Sequence, residues 1–454
     1  MELEEQLRAI VGADGMLGRA ELAQRSAGFM RSDMLQARLL LRPRSTEEVA
    51  AVLKLCNARG QPVVTHGGLT GLVHGGDAGP DDIILSLERM NAIECIDPLQ
   101  RIAQVQAGVA LQALQEAAEA QNLFFPLDLG ARGSCHIGGN VATNAGGNRV
   151  IRYGMTRALV LGLEVVLADG SIVSSLNRMI KNNAGYDLKQ LFIGAEGTLG
   201  VVTRVVLRLF ERPQSQDVAL VAVDSFDALT RFLKHIDAGL GGSLSAFEAM
   251  WREFYQLVTT PPAKSAPPLP DTHPYYVLVE AQGANMAQDA QRFNAVLEAA
   301  LEQGLIADAV IAHSSRERAA LWALRDDVMQ IAREGVPLTF DVSLPIARME
   351  GYLACVRAQL AAAWPGHRCW IWGHLGDGNL HIAVLAPATR AEIERVVYTP
   401  LAELAGSVSA EHGVGLEKKP YLELCRSPGE MALMRTLKRS LDANNILNPG
   451  KIFS

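Results

Sequence analysis

The sequence predicts an α+β protein of more than one domain, and three observations carry that expectation. At 454 residues the protein has length for two or three hydrophobic cores. Short β-branched strands alternate with amphipathic helices along most of it, with no internal repeat strong enough to read as a solenoid. The rhythm of that alternation changes near Arg212-Pro213-Gln214, a plausible boundary.

Residues 1–38 read as helices followed by a loop. From Ser45 onward the pattern is helix 46–59, strands 62–65, 83–86 and 101–105, then helix 110–121. Apolar strands recur at 159–168, 171–174 and 201–209, which completes a first α+β domain over residues 1–212. Residues 213–405 form a second domain. Its elements are strand 218–223, helix 226–237, strands 244–248 and 275–280, helix 287–303, strand 307–313, a long helix 315–334, strand 337–342 and helix 346–363. That mixture predicts an antiparallel sheet covered on one side by helices. The proline-rich stretch 259–274 reads as an exposed loop without chemistry. Residues 406–454 are a C-terminal segment, a helix over 430–442 followed by a turn at 446–451.

Composition narrows the function. Hydrophobic residues at 49% and charged residues at 20% describe an ordinary globular protein, and a net charge of −7 argues against nucleic acid as a main partner. The start Met1-Glu2-Leu3-Glu4-Glu5 is acidic, unlike a signal or transit peptide, and no apolar run reaches the ~18–20 residues of a membrane span. The six cysteines form no Cys-x-x-Cys pair, so they read as reduced thiols of a cytoplasmic protein.

The densest chemistry lies late in the sequence. His374 and His381 flank Gly376-Asp377-Gly378, and Glu411-His412-Gly413 follows downstream. Asp-Gly between apolar residues predicts a two-residue hairpin turn, pairing Gly376 with Asn379, Leu375 with Leu380 and His374 with His381. Directly opposed residues hold their Cβ atoms roughly 4.5–5.5 Å apart, within reach of one ion. Two imidazoles and a carboxylate (Glu411) suit a divalent metal with open positions, and His412 is left to move a proton. A zinc hydrolase and a non-haem iron site share that donor set, as do satisfied histidines with no ion at all.

Three glycine clusters lie in the first domain. They are Thr65-His66-Gly67-Gly68-Leu69-Thr70-Gly71 after a strand, residues 134–148 with Gly138-Gly139 and Gly146-Gly147, and Gly194-Ala195-Glu196-Gly197-Thr198-Leu199-Gly200. Consecutive glycines let N–H groups crowd around an anion such as a pyrophosphate. A single cluster is more often a set of turns; three in one domain point to a ligand. None has the Rossmann nicotinamide fingerprint, and no P-loop is present.

These clusters, with Arg152-Tyr153-Gly154 and Lys181…Gly185-Tyr186-Asp187-Leu188, resemble the FAD-binding domain of the vanillyl-alcohol oxidase superfamily, the p-cresol methylhydroxylase (PCMH) type. Asp341-Val342-Ser343-Leu344-Pro345, the stretch 373–381, Glu411-His412-Gly413 and Asn448-Pro449-Gly450-Lys451 are similar to the D-lactate and D-2-hydroxyglutarate dehydrogenase branch. The resemblance implies a two-subdomain PCMH-type FAD-binding domain, an α+β cap domain, and a C-terminal helical segment returning to the flavin domain. It implies non-covalent FAD contacted by Thr65, His66, Gly67, Gly68, Leu69, Thr70, Gly71, Pro126, Leu127, Ser134, Gly138, Gly139, Ala142, Thr143, Asn144, Gly146, Gly147, Glu196, Gly197, Gly200, Val202 and Asn448. His66 stands where many relatives have Gln or Arg, and Leu69 where they often have Gly or Asn.

The chemistry implied is oxidation of a D-2-hydroxy acid to the 2-oxo acid, with hydride passing to flavin N5. His374, His381 and Glu411 would hold the metal, zinc by resemblance, with manganese and iron also fitting the donors. His412 would be the base; Arg325 and Asn379 would meet the substrate carboxylate. Relatives acting on D-2-hydroxyglutarate place Thr and Lys where Met329 and Thr339 stand in this sequence. That shifts the expectation toward D-lactate or another monocarboxylate, while D-2-hydroxyglutarate and D-malate stay open. The resemblance names an electron carrier as partner (electron-transfer flavoprotein, a cytochrome or quinone), with a homodimer as the oligomer considered. The rival readings are a subunit of a glycolate-oxidase-like complex and an oxidase using oxygen.

Overall fold

A computed structural model describes residues 2–29 and 31–453. Two compact units make up the fold: Met1–Gly146 with Met155–Arg212 and Glu411–Ser454, and Gly147–Gly154 with Pro213–Ala410.

The first unit is built on two larger sheets, with a two-stranded pair of Leu123–Phe124 and Phe210–Glu211 besides. One has four strands, in the order Met16–Leu17, Leu39–Leu41, Ile83–Ser86, Val63–His66, and its three longer strands run parallel. The other has five strands, in the order Ile93–Asp97, Ile102–Gln106, Val201–Arg208, Val160–Val166, Ile172–Ser175, all antiparallel. The strands Met16–Leu17, Leu39–Leu41 and Ile93–Asp97 go beyond the sequence expectation. Leu39–Leu41 is a short fully apolar run, ambiguous between helix and buried strand, whereas Ile93–Asp97 is an edge strand diluted by Glu94 and Asp97. The C-terminal segment returns to this unit: Leu447 forms a parallel bridge with Val63, and Asn448 N–H donates to Val63 O at 2.9 Å.

The second unit is one seven-stranded antiparallel sheet. In sequence order its strands are β1 (Ser215–Val223), β2 (Leu244–Trp251), β3 (Tyr275–Gly283), β4 (Asp308–Ile311), β5 (Leu338–Ser343), β6 (Arg368–His374) and β7 (Asn379–Leu385). They lie in the order β4-β1-β3-β2-β6-β7-β5. Helices cover both faces rather than one. Phe247 of β2 meets Phe232 of helix Phe226–Leu240, whereas Met250 shares the opposite face with Trp372, which stacks on Phe254 of helix Arg252–Thr259. Every residue of β2 is buried, so apolar and polar residues do not alternate along it, which hides its two-sided burial.

Two further departures matter. The long helix expected over 315–334 stops at Asp326; a 3₁₀ turn, Val328–Arg333, follows Asp327. The proline-rich stretch is anchored, since buried Tyr255 donates its hydroxyl to Leu269 O at 2.9 Å and accepts from Leu269 N–H at 3.1 Å. Leu269 is itself buried in the core. Among the described residues, no helix is long and apolar enough to cross a membrane.

Candidate active site

The three glycine clusters form one assembly within the first unit. The loop after strand Val63–His66 approaches the second cluster so closely that a side chain at Gly68 would set its Cβ 1.9 Å from Ser134 O, a backbone atom that cannot yield. The third cluster is tied to the second by Gly194 N–H donating to Val141 O and Glu196 N–H donating to Ala142 O, at 2.9 and 2.8 Å. Asn448 joins first and third: its Oδ1 accepts Thr65 N–H at 2.8 Å while its Nδ2 donates to Glu196 O at 2.6 Å.

Several residues of the expected cofactor set also make bonds within the scaffold. Thr143 Oγ1 donates to Gly139 O, Ser134 Oγ to Ala131 O, and Asn144 Oδ1 accepts Arg157 N–H. Leu127 O accepts from Gln115, and Val202 pairs with Val165 inside the sheet. His66 is buried with Nε2 2.7 Å from Gly76 O, and burial pushes its pKa down to about 4, so it is a neutral ring shaping its own loop. Gly147 begins the 147–154 segment that clusters with the second unit.

What remains without a partner is specific. Thr65 Oγ1, His136 Nδ1 and Asn140 Nδ2 are buried polar atoms with no hydrogen-bond partner among the described residues. Among those residues, no N–H of 67–71 donates a hydrogen bond. Orphaned buried polar groups of this kind call for a partner. Together with backbone-lined walls, they fit a polar, flat, phosphate-bearing ligand. The expected contact set does not include His136 and Asn140, which lie beside Gly138-Gly139.

The second constellation is carried by the β6–β7 hairpin. Its turn is longer than expected: a 3₁₀ turn, Leu375–Asp377, leads into Gly378 with φ 86°. Trp372 pairs with His381, correcting the expected pairing of His374 with His381. The two rings still meet, centroids 5.0 Å apart and near perpendicular. Glu411 follows directly on Ala410, whose N–H donates to Asp341 O in β5 at 3.0 Å. One ligand atom each from His374, His381 and Glu411 lie within 4.8 Å of one another.

Each histidine is aimed by a carboxylate. His374 Nδ1 lies 2.8 Å from Glu248 Oε1, and His381 Nδ1 lies 2.7 Å from Asp341 Oδ1. A proton on each Nδ1 makes Nε2 the acceptor nitrogen of the ring, the carboxylate–histidine arrangement typical of metal sites; at His374 that atom lies 3.4 Å from Arg325 Nη2. Asn379 Oδ1 is buried and unpartnered among the described residues. Arg325 is buried rather than on a solvated helix face; its Nε donates to Glu248 Oε2 at 2.8 Å. Burial works to raise the Glu248 pKa, but His374 and Arg325 beside it hold the carboxyl below its ordinary value. The donor set thus fits a divalent ion. Glu248 was missed because it sits in an apolar strand 126 residues from His374.

His412 adopts a left-handed backbone, φ 67°, which costs a non-glycine residue on the order of 1–3 kcal/mol. The loop beyond it is pinned in the first unit, where the Glu196 carboxylate accepts N–H groups of Val414 and Gly415 at 2.7 and 2.8 Å.

Comparison with known proteins agrees with this layout. The family described as FAD linked oxidases, C-terminal domain, matches residues 212–452, and the FAD binding domain family matches residues 37–175. A mitochondrial D-2-hydroxyglutarate dehydrogenase of Bos taurus is 42% identical over 438 residues, covering 95% of this protein and 80% of that one. A D-2-hydroxyglutarate dehydrogenase of Xanthomonas citri is 43% identical, covering 90% and 88%. A putative mitochondrial D-lactate dehydrogenase of Schizosaccharomyces pombe is 36% identical, covering 98% and 88%. Among solved structures, p-cresol methylhydroxylase with substrate bound shares the fold at TM-score 0.78 and 16% identity, covering 99% and 96%.

Proposed function

Since the protein belongs to the FAD-linked oxidase family of the PCMH type and is an FAD-dependent oxidoreductase acting on CH–OH groups, we propose that it oxidises a D-2-hydroxy acid to the 2-oxo acid at a metal-assisted site. The observation that carries the proposal is the convergence of His374, His381 and Glu411, each histidine oriented by its own carboxylate. Flavin, when bound, would supply a hydride acceptor for C2, and a divalent ion held by His374, His381 and Glu411, zinc by the family resemblance with manganese and iron fitting the same donors, would polarise the hydroxyl.

The protein's own residues do the rest. His374 and His381 present Nε2 lone pairs and Glu411 a carboxylate oxygen. His412 takes the hydroxyl proton, a role that suits imidazole near neutral pH. Asn379 donates its amide N–H to the substrate carboxylate, and Arg325 pairs with the same group. Thr65, His136, Asn140 and the N–H groups of 67–71 hold the cofactor.

For the acid itself we favour a monocarboxylate. Thr339 is exposed two residues before Asp341 in β5, hence on the same face, and it brings no cation for a distal carboxylate; Met329 brings no hydroxyl. A dicarboxylate is the second reading, favoured by Arg325 and by the names of the relatives at 42–43% identity. An electron carrier of the electron-transfer flavoprotein, cytochrome or quinone class would reoxidise the cofactor.

The test is steady-state turnover of D-lactate, D-malate, D-2-hydroxyglutarate and D-2-hydroxy acids with longer alkyl tails. An artificial electron acceptor is used, with and without chelator. A yellow protein that oxidises monocarboxylates and stops on chelation is the expected result. Turnover of dicarboxylates alone sinks the monocarboxylate reading, and activity indifferent to chelator sinks the metal. A flavin-loaded protein with no dye-linked turnover of any acid points to a subunit of a larger complex.

A further inference from the structure

We propose that Glu248 is a positioning residue that sets both the tautomer of His374 and the aim of Arg325, so that metal affinity and hydroxy-acid binding are built on one carboxylate. This rests on the metal and substrate roles proposed above.

The geometry is that of a shared clamp. Glu248 in β2 stands directly opposite His374 in β6. Its side chain is almost wholly buried, 1% exposed. Oε1 faces His374 Nδ1 at 2.8 Å, and Oε2 accepts from Arg325 Nε at 2.8 Å. Arg325 Nη2 lies 3.4 Å from His374 Nε2. A guanidinium only donates, so Nε2 presents its lone pair and Nδ1 carries the proton given to Glu248. That is the tautomer a metal at Nε2 requires.

Arg325 is equally constrained. Helix Ser315–Asp326 is fastened to the sheet at a second point, where Trp322 Nε1 donates to Glu280 Oε2 at 3.1 Å. Residues 322 and 325 are neighbours on one helix face, so the two buried glutamates fix that face against the sheet. With Nε committed to Glu248, the guanidinium plane is set. His381 uses a separate carboxylate, Asp341, which provides an internal contrast.

Three proteins decide the matter, each at full length with flavin bound: wild type, Glu248→Gln and Asp341→Asn. Zinc affinity is read by competition with a chromophoric chelator, and kcat and KM are then measured at saturating zinc. A glutamine has one acceptor oxygen where the carboxylate uses two, so Glu248→Gln is expected to weaken zinc binding roughly 10–100-fold. At saturating zinc its kcat recovers while its KM stays raised about 10-fold or more. Asp341→Asn weakens zinc binding too, but its KM recovers with zinc. An unchanged zinc affinity in Glu248→Gln, or a KM that zinc restores, overturns the proposal.

Glu248→Asp keeps the charge and guards against misfolding around a stranded Arg325. It moves both quantities together, and in a folded, yellow protein unchanged values again overturn the positioning role. A wild type that binds flavin but no zinc sinks the metal reading itself. That result is distinguishable from variants that match a zinc-binding wild type.

Discussion

Trp372, two residues before His374, is the residue that stands opposite His381 across the hairpin. A slip of one residue would have sent the imidazoles to opposite faces of the sheet. A slip of two keeps them on one face as diagonal neighbours, and their rings still meet at 5.0 Å. The longer turn therefore changes the partner of each histidine without separating the pair.

Gly373 makes that register feasible. A Cβ there would lie 2.4 Å from Asn379 O, a backbone atom of the opposing strand. Gly373→Ala is expected to destabilise the protein by about 1–3 kcal/mol and to weaken zinc binding, both read in the same preparation by urea unfolding and chelator competition. An unchanged unfolding midpoint would refute the close-approach argument.

Asn379 carries a buried acceptor that makes no hydrogen bond among the described residues. Such a group lowers the stability of the ligand-free protein by roughly 1–3 kcal/mol. Asn379→Ala should therefore melt no lower than wild type while its KM for the hydroxy acid rises about 10-fold. A lower melting temperature with unchanged KM assigns Asn379 to structure alone.

His66 gives the protein an acid-sensitive element far in sequence from the histidines of the hairpin. Its pKa is about 4 in the fold against 6.5 when unperturbed, because burial disfavours the charged ring. The unfolded state thus binds a proton that the folded one refuses. Stability from this group is present above about pH 6.5 and is lost as pH falls toward 4, by roughly 3 kcal/mol in all. His66→Gln, whose amide can still donate to Gly76 O, should flatten that part of the pH–stability curve measured by urea unfolding. A curve of unchanged slope counts against a neutral buried ring.

Tyr255 holds the proline-rich stretch by donating to and accepting from Leu269, and its ring stacks on Tyr276 at 3.6 Å between centroids. Tyr255→Phe keeps the stack and removes both hydrogen bonds, a loss of about 1–3 kcal/mol. Limited proteolysis should then cut within 260–274 sooner than in wild type. Equal cutting rates would mean that the loop is held by its apolar contacts alone.

Elements with a strong period were legible in the sequence: the helix expected over 226–237 is the helix Phe226–Leu240. Elements without one were not. Met16–Leu17 is too short to have a period, and the break at Asp327 carries neither proline nor glycine to announce it. The stretch expected to be an exposed loop, 259–274, hid its anchor because Leu269 is a single large apolar residue among prolines, alanines and polar side chains.

By itself the sequence determined the chemical vocabulary: three glycine clusters, two histidines around an Asp-Gly turn, and a Glu-His pair. Those residues are dense, local and of unusual type, so they stand out without coordinates. Only the tertiary structure decided which atoms of that vocabulary are free to act. It spends Glu196, Asn144 and Asn448 on holding loops together, and it buries His66 as a neutral ring. It also brings Glu248, 126 residues away, against His374. Strand pairing joins residues without regard to their separation in sequence, and a glutamate in an apolar strand gives no local sign of the histidine it will face.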